Sequence, residues 1–254
     1  MAKSAEKRKG KEGIFSLIGK SFSTYFKNLN LALPFIFLLL FLIIVAAVFI
    51  ATITPVTGTN VENLQLDPAT LGMVAIVSIV LVLVLLAGSS FLSSRIIGMA
   101  SEIASKGKTR LSVMFSTGGK YWFRFLGATL SILVIVLVPF LAVLFTANKF
   151  LYDSVPAAQL IAIILILLVL MLFFVFFAFA PYFLVMKDMR VFASIKESFA
   201  FVKKNYVDAL LLFLILTITS ILINQIPYVG WVINLLLLGP VQALVLVYFI
   251  NSRK

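Results

Sequence analysis

Long runs without Lys, Arg, Asp or Glu constrain this chain more than any motif: Leu31 to Ile53, Leu71 to Leu92, Phe125 to Ala147, Ala157 to Val185, and Ala209 to Ser252. About 20 apolar helical residues cross roughly 30 Å of hydrocarbon. The last run is long enough for two crossings. It is interrupted by Asn224-Gln225-Ile226-Pro227-Tyr228-Val229-Gly230, a turn-forming stretch. The piece starting at Ala209 is short for a crossing, so it either extends back through Val207 or forms a re-entrant hairpin with the next piece. The expectation is an all-α polytopic membrane protein with six crossings, near residues 31–53, 71–92, 125–147, 157–185, 207–223 and 229–250.

With 63% hydrophobic and only 12% charged residues, the chain departs from soluble domains, which run near half apolar and about a quarter charged. Residues 14–254 read as a single membrane domain. Residues 1–13 are polar and basic and read as a disordered tail. The first apolar run follows this basic start but is too long for a cleaved signal sequence, so it reads as a retained anchor.

The net charge of +12 does not point to nucleic acid, because the cations flank the apolar runs, where orientation signals belong. Counted by connection, all but Lys149 of the 21 Lys and Arg residues fall on one side of the six-crossing scheme. The positive-inside rule then makes both termini cytoplasmic in a multi-pass protein of the cell membrane.

Catalytic chemistry finds little foothold. There is no Cys and no His, which removes thiolate nucleophiles, most zinc sites and the usual near-neutral acid/base residue. Every Asp and Glu falls in a connection or at a membrane boundary, so no buried acidic relay of the kind used in proton coupling is expected. Asp208, beside Lys204, suits a helix N-terminus. No phosphate-binding glycine loop or metal-ligand cluster occurs, and neither enzyme activity nor a cofactor is expected.

The basic connections carry apolar residues at helical spacing. Before the first crossing these are Phe15, Ile18, Phe22, Phe26 and Leu29, with Lys20 and Lys27 set apart. Before the third they are Leu111, Met114, Phe115, Trp122 and Phe125, with Lys120 and Arg124. Before the fifth they are Phe192, Ile195, Phe199, Val202 and Tyr206, with Lys196, Lys203 and Lys204. Each reads as an amphipathic interfacial helix. Ser21-Phe22 followed by Lys27-Asn28 has the spacing of Ser198-Phe199 followed by Lys204-Asn205, while the middle segment keeps Phe115 and Lys120. Three parallel repeats of interfacial helix plus transmembrane hairpin are therefore expected.

The stretch Pro181-Tyr182-Phe183, Lys187-Asp188, Ala193-Ser194-Ile195-Lys196-Glu197-Ser198-Phe199 and Lys203-Lys204-Asn205 resembles the membrane domain associated with some glycerophosphodiester phosphodiesterases, and related six-helix proteins of archaea and bacteria. In that group the phosphodiesterase activity belongs to a separate soluble barrel, to which nothing in this sequence corresponds. The resemblance implies a fold and membrane residence rather than catalysis.

Two functions from different classes follow. The first is a membrane scaffold or lipid-interaction module. Lys20, Lys27, Lys120, Arg124, Lys196, Lys203 and Lys204 would contact anionic headgroups or an acidic partner, with Phe22, Phe115, Trp122, Phe199 and Tyr206 as interfacial anchors. The second is a small transporter, channel or permease-like subunit with a polar path along Asn234, Gln242, Thr217 and Ser220. Within a membrane those residues also serve plain interhelical hydrogen bonding beside the Pro240 kink. A polar cavity at Asn234 or Gln242 would favour transport, and a packed apolar centre the scaffold.

Overall fold

The spacing of Leu17, Ser21 and Tyr25 places one small and two larger side chains on a single helical stripe. In the computed structural model, which describes residues 12–57, 68–151, 164, 169 and 172–253, that stripe is buried along α1 (Ile14–Phe26). Phe15 and Phe26 face outward, 78% and 61% exposed, whereas Phe22 is half-buried against the core. The helix ends where the Asn28 side-chain amide donates to the carbonyl of Thr24 at 3.0 Å and to that of Gly107 at 3.2 Å. These bonds satisfy a terminal carbonyl that the helix leaves open. A 3₁₀ turn (Leu29–Ala32) then redirects the chain into α2 (Leu33–Thr57).

Helices α3 (Pro68–Lys106) and α4 (Leu111–Leu151) form an antiparallel hairpin of 39 and 41 residues. At 1.5 Å per residue they reach about 58 and 61 Å, roughly twice the hydrocarbon thickness. Their basic ends therefore continue the helices past the apolar runs. Glu102 closes the turn between them. It accepts from Lys106 Nζ at 3.1 Å, Thr109 Oγ1 at 2.9 Å and the Arg110 backbone N–H at 3.3 Å. Close packing depends on glycine. A Cβ at Gly98 would overlap the Thr117 side chain, and one at Gly88 the Phe41 ring of α2.

The remaining elements are α5 (Ala180–Met186), α6 (Val191–Lys204), α7 (Tyr206–Asn224) and α8 (Gly230–Ile233), followed by a π-helical turn (Asn234–Leu238) and α9 (Gly239–Ser252). Among the described residues there is no strand. Five helical stretches are long and apolar enough to cross a membrane: Leu29–Thr52, Gly72–Lys106, Leu111–Ala142, Tyr206–Asn224 and Gly230–Ser252. Of the expected crossing at 157–185, 13 of 29 residues lie outside the described ones, and its longest described part belongs to the shorter apolar helix Leu172–Met186. Most of the expected tail, residues 1–11, also lies outside them. The 207–223 piece does extend backward: α7 begins at Tyr206 and reaches about 28 Å over 19 residues.

One expectation needs correction. The segment carrying Phe115, Lys120, Trp122 and Arg124 is not a separate lead-in helix, because α4 runs unbroken through it. α1 and α6 end at Asn28 and Asn205, whose side chains bond the carbonyls four residues back, at 3.0 and 3.1 Å. In α4 Phe125 follows Arg124 and continues the buried stripe Met114, Gly118, Tyr121, Phe125 and Ala128. No Asn stands there to bond the preceding turn and end the helix.

The core gathers around the C-terminal helix. In Gly230–Ser252, 56% of the most apolar 18-residue stretch is buried, against 6% in α3. Phe249 and Phe179 are fully buried, with ring centroids 5.7 Å apart. Phe201 packs edge-on against Phe179, Phe183 and Phe249 at 5.2 to 5.8 Å. Such offset and edge-to-face pairs add about 0.5–1.5 kcal/mol each beyond area burial. α1 lies along α9, which also packs on α3.

Candidate functional site

Apart from Lys149, near the far end of α4, the described cations gather at the end of the molecule where α1, the α3–α4 turn, α6 and the end of α9 meet. Their partners differ from what spacing alone suggests. Lys120 Nζ and Arg124 Nη1 both donate to Asp188, at 2.8 and 2.9 Å. Asp188 has φ +51°, a left-handed conformation that Asp tolerates better than most residues. The Lys120 hydrogen bond, opposed by desolvation and reinforced by the Lys120 and Arg124 charges, holds the Asp188 carboxyl below its usual range. Two of the cations expected to meet headgroups thus already share a carboxylate, although the cluster is half-exposed and open to competition. Lys187 similarly pairs with Glu197 at 2.6 Å.

Lys20 reaches Glu12 at 3.4 Å and lies 4.8 Å from the centre of the Tyr248 ring. Lys27, Lys196, Lys203 and Lys204 are exposed on α1 and α6, and none joins an ion pair among the described residues. The expected anchors divide into two kinds. Phe115 is 62% exposed. Trp122 is half-buried and donates Nε1–H to the Ala87 carbonyl at 2.9 Å. Phe199 and Tyr206 both stack on Phe176, at 4.9 and 5.5 Å. Phe22 supports the core instead.

Asp208 pairs across the fold and not with its neighbour Lys204. Arg253 Nε lies 3.1 Å from Asp208 Oδ2, and the Arg253 side chain is only 4% exposed. The pair lacks hydrogen-bond alignment but leaves Arg253 stacked at 5.3 Å over Phe249. Sequence reading had placed Arg253 only among the orientation charges. An Arg that follows a charge-free run carries no signal of the distant carboxylate it meets.

The polar residues of the last two helices form a short bonded chain. Gln242 Nε2 donates to Ser220 Oγ at 2.8 Å, and Ser220 Oγ reaches Asn234 Oδ1 at 3.4 Å. Thr217 is exposed and stands apart from them. An open pocket of about 310 Å³ lies elsewhere, between α3, α4 and α5, lined by Ser101, Glu102, Ser105, Thr117, Tyr121 and Met186 among others. Among the described residues no cluster of Asp and Glu could hold a metal ion.

A contact that sequence reasoning missed closes the kink. Pro240 brings no N–H to the Leu236 carbonyl, the acceptor four residues back. Tyr25 Oη of α1 donates to that same carbonyl at 2.7 Å. Gly239 beside it admits the Phe35 ring of α2, which a Cβ would overlap.

Taken together, five long apolar helices and a single basic end define a multi-pass helical membrane protein. No family model, curated protein or solved structure matches this chain.

Proposed function

We propose that this chain is a non-enzymatic membrane scaffold whose basic end engages anionic lipid headgroups. The observation carrying this reading is the set Lys27, Lys196, Lys203 and Lys204, exposed and without carboxylate partners among the described residues, on two amphipathic helices anchored to a packed core. Each such cation near an anionic surface contributes about 1 kcal/mol. The exposed Phe15, Phe26, Phe192 and Phe199 on the same helices suit insertion below the headgroups. In this reading the chain crosses the cell membrane six times with both termini cytoplasmic.

Three parallel repeats underlie the arrangement. Leu17, Ser21, Tyr25 and Asn28 are buried in the same order and spacing as Ser194, Ser198, Val202 and Asn205. In the register that pairs Phe115 with Phe22 and Lys120 with Lys27, Met114, Gly118 and Tyr121 of α4 are buried at the steps of Ser21, Tyr25 and Asn28. This register supports the repeat more strongly than residue identity does, because packing selects size and position before chemistry.

The test is lipid selectivity. Purified protein in mixed phosphatidylcholine and phosphatidylglycerol nanodiscs should enrich phosphatidylglycerol, and the K27E/K203E/K204E variant should lose that enrichment. Equal lipid composition around both proteins would refute the scaffold reading. A second reading, a small transporter, draws on the π-helical turn beside Pro240, since such turns frequently mark functional sites. It requires solute flux in proteoliposomes that falls in Q242L.

A further inference from the structure

Arg95 breaks the pattern of paired charges. It lies on α3 three residues past the end of the apolar run and is 9% exposed. Its Nε is buried with no hydrogen-bond partner. None of the ion pairs among the described residues involves it, whereas Arg253, the other buried guanidinium, has Asp208. A buried cation without an anion is costly. What surrounds Arg95 covers its faces: Phe91 lies 3.7 Å and Phe115 5.4 Å from the guanidinium carbon to ring centre. A guanidinium with aromatic rings on its faces keeps its in-plane N–H fork for a planar or tetrahedral oxyanion.

The α4 backbone makes room for this side chain. A Cβ at Gly118 would overlap Arg95 Nε, so only a glycine there lets the Arg95 side chain pass so close to α4. Phe115, itself 62% exposed, forms the outer wall. Trp122, packed edge-on to Phe91 at 5.5 Å and anchored to Ala87, marks the aromatic belt that sits at headgroup depth. The dense oxyanion at that depth is lipid phosphate.

We propose that Arg95, between Phe91, Phe115 and Gly118, is a specific site for the phosphate of an anionic phospholipid headgroup. It deepens the scaffold reading and rests on it, adding one defined contact to the diffuse attraction of the exposed lysines.

The experiment is thermal unfolding of the purified full chain in detergent, titrated with phosphatidylglycerol, phosphatidylcholine or inorganic phosphate. R95Q, R95K, G118A, K108Q and the K27E/K203E/K204E variant are compared, each first shown monodisperse by gel filtration. The wild type should be stabilised by phosphatidylglycerol, with the half-saturating lipid rising about tenfold in R95Q, as loss of a charge-assisted bond implies. G118A, which keeps the charge but displaces it, should also weaken binding. R95K should fall between wild type and R95Q. K108Q, at an exposed lysine of the α3–α4 turn outside both contact sets and with the same change in net charge as R95Q, should stay within about twofold of wild type. Unchanged phosphatidylglycerol binding in R95Q and G118A overturns the site. If R95Q binds as wild type does while K27E/K203E/K204E loses binding, the Arg95 site fails and the scaffold reading survives. If the wild type does not distinguish phosphatidylglycerol from phosphatidylcholine, both fail. Equal stabilisation by inorganic phosphate overturns the lipid assignment in favour of a free anion.

Discussion

The basic-end half and the far half of this molecule are made of the same helices with similar apolar side chains, yet only one half is packed. In α3 the residues Ile96, Ile97, Met99, Ala100 and Ile103 are buried, whereas Met73, Ile76, Ile79, Val82 and Leu83 of the same helix are exposed. In α4 Met114 through Ile132 supply the buried positions, while Leu133, Val134, Leu137 and Leu141 face outward. Hydrophobicity cannot explain the difference, because lipid is as good a solvent for Leu as another helix is. Small residues, aromatic pairs and side-chain hydrogen bonds decide which surfaces meet. Gly88, Gly98, Gly118 and Gly239 each sit where a Cβ would overlap a neighbouring side chain, and these close approaches fall where the core lies.

The comparison is broken most directly by truncating one large side chain in each half. Phe179→Ala, a fully buried ring packed against Phe201, Phe213 and Phe249, should cost about 3 kcal/mol. Ile79→Ala, in the far half, should leave the unfolding midpoint in detergent close to wild type. Equal losses would mean that the far half is packed as well. A smaller effect sharpens the role of polar contacts: Tyr25→Phe strips the Leu236 carbonyl of its donor and should cost about 1–2 kcal/mol, measured by the same unfolding. A change below the detection limit would assign that carbonyl to other donors. The smallest effect belongs to the half-exposed Asp188 cluster. Its carboxyl sits below the ordinary carboxylate range, so its contribution is present above that range and is lost as the pH falls through the folded value. Asp188→Asn should flatten this acid limb by slightly lowering stability near neutral pH, while the low-pH end, where Asp188 is already protonated, stays as in wild type. A profile identical to wild type would remove Asp188 from the electrostatics.

Much of the architecture was legible before any coordinates. The charge-free runs gave the long helices of five stretches, and the turn at Asn224 to Gly230 separated α7 from α8. The helical spacing of Leu17, Ser21 and Tyr25 lies in the residues themselves. The phase of the amphipathic stripe was harder to read, because an apolar stripe can face either lipid or protein in a membrane. Phe22 and Phe26 look alike in sequence, yet one leans on the core and the other faces outward. The continuity of α4 through Arg124 was also hidden, since it depends on the absence of a capping Asn rather than on any positive signal.

Apolar run length, the clustering of charge at one end and the scarcity of catalytic residue types were determined by the sequence alone, because each follows from solvation and local chemistry. Which cation meets which carboxylate was decided only by the tertiary structure. Arg253 finds Asp208, Lys120 and Arg124 converge on Asp188, and Tyr25 reaches the carbonyl that Pro240 leaves open. These contacts join residues far apart in the chain, and their geometry exists only once the helices have packed. Arg95 belongs to the same class: the sequence places a cation past an apolar run, and the packing of α3 on α4 buries it without an anion.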